Sequence, residues 1–357
     1  MQNNETPPGK SAGTDPWWHP DRFEDRADAL VRRADMVKSA REFFDRRGYV
    51  EVDTPALQIS PGMEPHLTAF ETSLGEIGGE RRPVYLHTSP EFAMKKLLAA
   101  GMQRIFQLAR VFRDGERSAR HHPEFTMLEW YRTGAGWHDI ADEAGELIRA
   151  ACGPAVQRGD VTCDLTQPWE FLSVQEAFER YAGIDLLATA PDPLTPDTDM
   201  LCMFADGLGV RTADTDTWED IFFRIYLERI EPQLGTGTPT VLHSYPASMA
   251  ALARISPDDP RVADRFEIFI CGLELANGYG ELTDAVEQRR RFDVMTDQRI
   301  AVGRAPYPVD EDFLAALESG IPDCAGIALG FDRLVMLAAG AERIEDVLWV
   351  PVVDPAG

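Results

Sequence analysis

Two apolar strand patterns separated by a polar, arginine-rich loop constrain this chain more than any other feature. The first, IFQLARVF (105–112), runs directly into Arg113; the second re-enters at Glu124 and continues through FTMLEWY to Tyr131. A connection of this kind closes an antiparallel hairpin rather than a parallel crossover. Arg113, Arg117 and Arg120 cluster at its tip. A planar guanidinium binds phosphate oxygens bidentately and keeps its charge at any working pH, so the hairpin is suited to gripping a polyphosphate. Further on, GIALGFDRLVML (326–337) sets Arg333 between a glycine-rich strand and a helix, where backbone can approach a ligand closely. Two such arginines with a group of acids between them point to ATP-dependent activation of a carboxylate.

The remaining pattern fits a sheet of mixed connectivity. From Asp25 to Gly48 apolar residues recur every three to four positions, which predicts a helix, and YVEVDTP then reads as a short strand ended by Pro55. YLHTSPEFAMKKLLAAG (85–101) reads as strand, Ser89-Pro90 turn and helix. Helices are expected over 137–150, 172–182, 218–231, 285–303 and 311–319, and a loop over 188–199. TVLHSYP and RFEIFI read as strands, and ELANGYGELTD as a strand interrupted by Asn277-Gly278 and Gly280. Without regular βαβ alternation the expected class is α+β, an antiparallel sheet flanked by helices.

Charge narrows the partners. Lys and Arg number 35 against 60 Asp and Glu, a net of −25. Nucleic-acid affinity comes from cationic side chains neutralising phosphates, so a long tRNA-sized interface is not expected. The basic residues that exist concentrate in 95–120, which fits a small anionic ligand. Five scattered cysteines without a CxxC pair indicate neither disulfide framework nor zinc site, and His121-His122 is too tight for a two-ligand clamp. No signal-peptide core and no long apolar run is present, so the expected location is cytoplasmic, with no membrane partner.

Glu267, Glu274 and Glu281 recur at intervals of seven around Cys271-Gly272 in an otherwise apolar segment. Carboxylates in a sheet are costly unless paired or metal-bound, and two of them offer hard oxygens to Mg²⁺. Phe125 offers a face on which an adenine can stack, with Arg333 above it.

These segments together resemble the class II aminoacyl-tRNA synthetase catalytic domains. GYVEVDTPAL (48–57) looks like the first class-defining motif, FRDGERSARHHPEFTMLEW like the second, and GIALGFDRL like the third. TSPEFAMKKLL, HHPEFTMLEWY and FEIFICGLELANGYGELTDA are similar to the lysyl branch. The resemblance implies a homodimer formed around the first motif, with Arg113 on the α-phosphate and Arg333 on the γ-phosphate as the catalytic pair. It implies ATP contacts from Arg113, Asp114, Gly115, Glu116, His122, Phe125, Glu274, Leu275, Gly330 and Arg333, and Mg²⁺ on Glu267 and Glu274. Ser89, Pro90, Glu91, Tyr131, Asn277, Glu281 and Ala328 would border a lysine-like amino acid, with Glu281 and Tyr131 facing its side-chain ammonium.

Residues 1–20 are expected to form a loose polar arm and 21–357 a single catalytic domain. The first motif's helix begins near residue 25, which leaves no room for the anticodon-binding domain of lysyl-tRNA synthetases. Among its relatives the chain therefore resembles the free-standing lysyl-type ligases that attach (R)-β-lysine to a lysine of elongation factor P. Ser89 and Ala328 stand where lysyl-tRNA synthetases usually carry Ala and Gly. Gly115 and His122 also depart from the family's usual FRNE and HNPEF. The alternatives are a free-standing lysyl-tRNA synthetase-like enzyme acting on tRNA or a small amine, and a non-catalytic regulatory paralogue. Retention of both arginines and of Glu267 and Glu274 argues against the last.

Overall fold

The computed structural model describes residues 16–75 and 77–352; the greater part of the expected N-terminal arm, residues 1–15, lies outside them. An eight-stranded sheet dominates, in the order β1-β5-β6-β13-β12-β11-β10-β9. Its central strands are β5 (Arg104–Phe112), β6 (Glu124–Thr133), β13 (Cys324–Gly330), β12 (Leu273–Gly280), β11 (Val262–Ile270) and β10 (Thr240–Pro246), paired antiparallel with one another in that order. The edge strands β1 (Val50–Glu51) and β9 (Glu170–Ser173) pair parallel with β5 and β10. A small sheet of β2 (Leu57–Gln58), β4 (Arg81–Leu86) and β3 (Glu71–Gly75) stands beside it, and β7 (Ala155–Arg158) pairs with β8 (Val161–Asp164). The class is α+β, as the sequence pattern led one to expect.

Helices cover both faces. On one, α1 (Pro20–Asp45), α3 (Trp137–Cys152) and α9 (Phe331–Ala339) close the largest core. There Phe44 stacks on Phe106 with centroids 4.4 Å apart, and Trp130 is fully buried. A buried polar knot fixes these elements to the sheet: Arg33 of α1 donates to Asp332 of α9 and to Thr126 Oγ1 at 2.7 Å, while Asp332 accepts from Thr126 N at 2.7 Å. On the other face α2 (Glu91–Ala99), α7 (Ala285–Ala301) and α8 (Glu311–Glu318) pack through Phe92, Phe292 and Phe313. A third core gathers α4 (Val174–Ala182), α5 (Thr198–Gly207) and α6 (Trp218–Ile225).

Two local readings differ from the pattern. The Pro- and Asp-rich segment before 199 ends in cap chemistry: Asp197 accepts from Met200 N and starts α5, a helix the composition concealed. The strand at Asn277-Gly278 is not interrupted. β12 runs through it because a Cβ at Gly278 would lie 2.4 Å from the Phe266 ring, so glycine serves close packing there rather than a break.

Candidate active site

Antiparallel register decides which side chains share a face, since directly opposed residues point the same way. Gln107, Glu129, Ala328, Asn277 and Glu267 lie opposite one another across five strands. The next row carries Tyr131, Gly326, Tyr279 and Arg265. A cavity of about 400 Å³ sits over this face. Its walls are the β5–β6 loop, the Ser89 turn, the loop at Glu64–Leu67, α6, α7 and the start of α9. Gly326 admits no side chain: a Cβ there would lie 2.2 Å from Tyr131 Cδ1 and 2.8 Å from Glu281 Oε1.

One end of the cavity is cationic. Arg113 leaves β5 with its backbone N donating to Pro123 O at 2.9 Å, and its guanidinium lies 5.2 Å over the Phe125 ring. It has no ion pair among the described residues, and its buried Nε has no hydrogen-bond partner. A half-buried guanidinium with no anionic partner is a site for an anion. Arg333, from the first turn of α9, donates to Glu274 O at 2.8 Å and to His121 Nε2 at 2.8 Å. Because arginine only donates, His121 carries its proton on Nδ1, which reaches Ser118 Oγ at 2.9 Å. Burial, then Arg333, hold that imidazole down to about 4, so it is neutral near pH 7. Glu116 and Arg120 also line this end.

The other end is acidic. Glu129 is fully buried and accepts from Ser89 Oγ at 2.7 Å and Tyr131 OH at 3.0 Å. Burial, then Glu91, push its carboxyl up to about 8. Glu91, at the start of α2, is bound by Lys95 one turn on, and Lys95 also meets Glu281 at 2.5 Å. Burial opposes the lysine's charge, but Glu281 and Glu91 outweigh it and its pKa rises. Glu64 lines the same end with its Oε2 buried and unpartnered, and burial followed by Glu91 raises its pKa. Asn277 Oδ1 is likewise buried without a partner, its amide donating to Tyr279 OH at 2.9 Å.

The expected site residues divide. Ser89, Glu91, Arg113, Glu116, His122, Phe125, Glu274, Leu275, Asn277, Ala328, Gly330 and Arg333 line the cavity. Pro90, Asp114, Gly115, Tyr131, Glu267 and Glu281 are not among its lining residues. Pro90 caps α2, and Gly115 turns the hairpin at φ +79°. Tyr131 is buried beneath Glu129, and Glu281 is spoken for by Lys95. Glu267 sits at the cavity's margin in the grip of Arg265 at 2.7 Å. The guanidinium over Phe125 belongs to Arg113 rather than Arg333. His122 is turned toward the chain's end: its Nδ1–H donates to Glu124 O at 2.6 Å and its Nε2 accepts from Val352 N at 3.1 Å.

Sequence reasoning missed Glu129, Glu64 and Lys95. Glu129 had a signal, since it falls on the inward alternation Phe125-Met127-Glu129-Tyr131 of a strand that is otherwise apolar. Lys95 could be sought from its spacing to Glu91, while Glu64 sits in a loop with no periodic cue. Among the described residues no cluster of three or more His, Cys, Asp or Glu forms a metal cage, and no helix is long and apolar enough to cross a membrane.

An antiparallel sheet carrying a guanidinium-tipped hairpin on one strand pair and an arginine-bearing glycine strand on the next is the arrangement of a class II synthetase catalytic centre. The family described as tRNA synthetases class II (D, K and N) matches residues 18–354, and the chain belongs to that family. Within it, the chain is 43% identical to the elongation factor P–(R)-beta-lysine ligase of Proteus mirabilis (strain HI4320), over 90% of this chain and 94% of that protein. Proteins of the same name from Klebsiella pneumoniae (strain 342) and Haemophilus influenzae (strain PittGG) are 43% and 41% identical, each over 89% of this chain and 93% of theirs.

Proposed function

We propose that this protein is an AMP-forming ligase that activates (R)-β-lysine with ATP and transfers it to a lysine side chain of elongation factor P. The names of its relatives support that substrate and acceptor. The single observation that carries it is the polarity of one cavity, with Arg333 and the unpartnered Arg113 at one end and Glu64 and Glu91 at the other, where Ser89 of the wall donates to the buried Glu129. Such a cavity matches a polyphosphate bound next to an amino acid with an extra ammonium.

The substrate carboxylate is already ionised, so little proton transfer is needed in the first step and positioning supplies most of the rate. It attacks the α-phosphorus in line, and pyrophosphate leaves. Arg113 stabilises charge that builds on the α-phosphate, and Arg333 holds the γ-phosphate. Phe125 offers its face to the adenine. Ser89 and Asn277 line the amino-acid end, and Glu129 beneath them holds a proton that a bound ammonium would displace. Ala328, between Glu129 and Asn277 in the sheet row, narrows the floor on which the amino acid lies.

The family uses Mg²⁺. Glu267 and Glu274, on paired strands, fit it as hard oxygen donors: burial raises the Glu267 pKa, Arg265 opposes that, and Glu274 adds to it, so a divalent cation would relieve both carboxylates. When bound, the ion would supply positive charge to offset that of the polyphosphate. We further infer a cytoplasmic homodimer that acts on protein rather than tRNA; the acidic balance supports the last point, and Val50, Leu57 and Ile59, exposed around the first motif, support the dimer.

Mass spectrometry of elongation factor P incubated with this protein, ATP and each lysine isomer tests the proposal. The expected result is a mass gain of one (R)-β-lysyl group on the factor. A gain found only on tRNA would overturn it.

A further inference from the structure

A second cavity, of about 580 Å³, adjoins the first between α7, the segment 193–198 and the segment 247–251. The two share Glu219, Ser248, Ala251, Met295 and Gln298 as a common wall. The outer rim is apolar and exposed, with Leu194 71% and Val294 44% accessible. Of its two arginines, Arg290 binds Glu287, and Arg291 binds Glu287 and donates to Ala253 O while its buried Nη2 has no partner.

Glu219 is the exception on that wall. It is the second residue of α6, half-buried, and its carboxylate has no hydrogen bond or ion pair among the described residues. The charged groups that face it are His66 from the Glu64–Leu67 loop, Arg265 of β11 and its neighbour Asp220. Arg265 is occupied by Glu267 and Met249 O. Burial raises the Glu219 pKa, with His66 and Arg265 opposing and Asp220 adding to the rise. An acid kept short of a cation, at the inner end of an apolar passage, suits a lysine side chain. That side chain has a slender apolar stem and a charged tip.

We propose that the acceptor's lysine enters through this second cavity and that Glu219 receives its ammonium and takes one proton from it. The inference rests on the ligase reading above. The neutral amine then attacks the carbonyl carbon of the aminoacyl-adenylate. A C–N bond forms, the carbonyl carbon–phosphate oxygen bond breaks, and AMP departs with the electron pair of that bond. The second amine proton and the proton held by Glu219 pass to solvent, so the step yields an amide, AMP and two protons from an ammonium and an adenylate. The first cavity is filled by adenylate at that moment, which is why the acceptor needs a separate way in.

The test is a single-turnover measurement on enzyme loaded with (R)-β-lysine and ATP, then mixed with either elongation factor P or hydroxylamine. Hydroxylamine is unprotonated near neutral pH and small enough to need neither the passage nor a base. In Glu219→Gln, transfer to elongation factor P should fall about 10²-fold relative to hydroxamate formation, the scale of lost base catalysis. Glu219→Asp should recover part of the loss. If both nucleophiles slow together, or the ratio is unchanged, Glu219 has no part in acceptor activation. If the wild-type protein forms no hydroxamate from any lysine isomer, the ligase reading itself falls, and this inference with it.

Discussion

Glu129 offers the sharpest test of the acidic end. Its carboxyl is buried in the sheet, held by Ser89 and Tyr131, and raised to about 8 from an ordinary value of 4.5. A raised carboxyl stabilises the fold most below its unfolded value, and that stabilisation is lost as pH climbs through the folded value. Between pH 5 and pH 8 the native protein holds a proton that the unfolded chain has released. With folded and unfolded values of about 8 and 4.5, the loss over that interval is on the order of 3–4 kcal/mol. Glu129→Gln keeps the shape and an acceptor for Ser89 but cannot ionise. Urea unfolding at pH 5, 6.5 and 8, without added substrate, should therefore show wild type losing stability relative to the variant as pH rises. Titrations of groups remote from Glu129 are common to both proteins and cancel in the difference. Parallel curves for the two proteins would refute the claim that Glu129 is a desolvated, protonated acid.

Arg113→Ala should lower ATP–pyrophosphate exchange by about 10²–10³-fold, the scale of losing one preorganised charge on the transition state. Its melting temperature should hold, because that guanidinium makes no ion pair or hydrogen bond here; a folded variant with normal exchange would remove it from the phosphate clamp. Lys95→Met leaves Glu91 and Glu281 buried together without their cation. It should cost about 3–5 kcal/mol in urea unfolding near neutral pH, and a cost near zero would show that the triad is not an ion pair.

Much of the architecture was legible in local pattern. Period-two runs marked β5, β6, β10 and β11, and Cys271-Gly272, both at positive φ, marked the tight hairpin between β11 and β12. The arginines were legible too, because a guanidinium beside glycine or at a strand end is conspicuous in a chain so acidic. α5 was not, since its cap residues are the same residues that build loops.

The sequence by itself determined which groups are present: an antiparallel sheet, two conspicuous arginines, and a regularly spaced set of acids. Tertiary structure decided how the acids are shared out. Glu267, Glu274 and Glu281 look alike at their regular spacing, yet one is held by Arg265, one borders Arg333 and one is closed off by Lys95. Glu64 reaches the cavity wall only through loop placement, and Glu129 meets Ser89 of that wall only through its place in the sheet. The physical reason is that a carboxylate's role depends on its desolvation and its nearest cation. Both are set by residues far away in the chain, which no local spacing records.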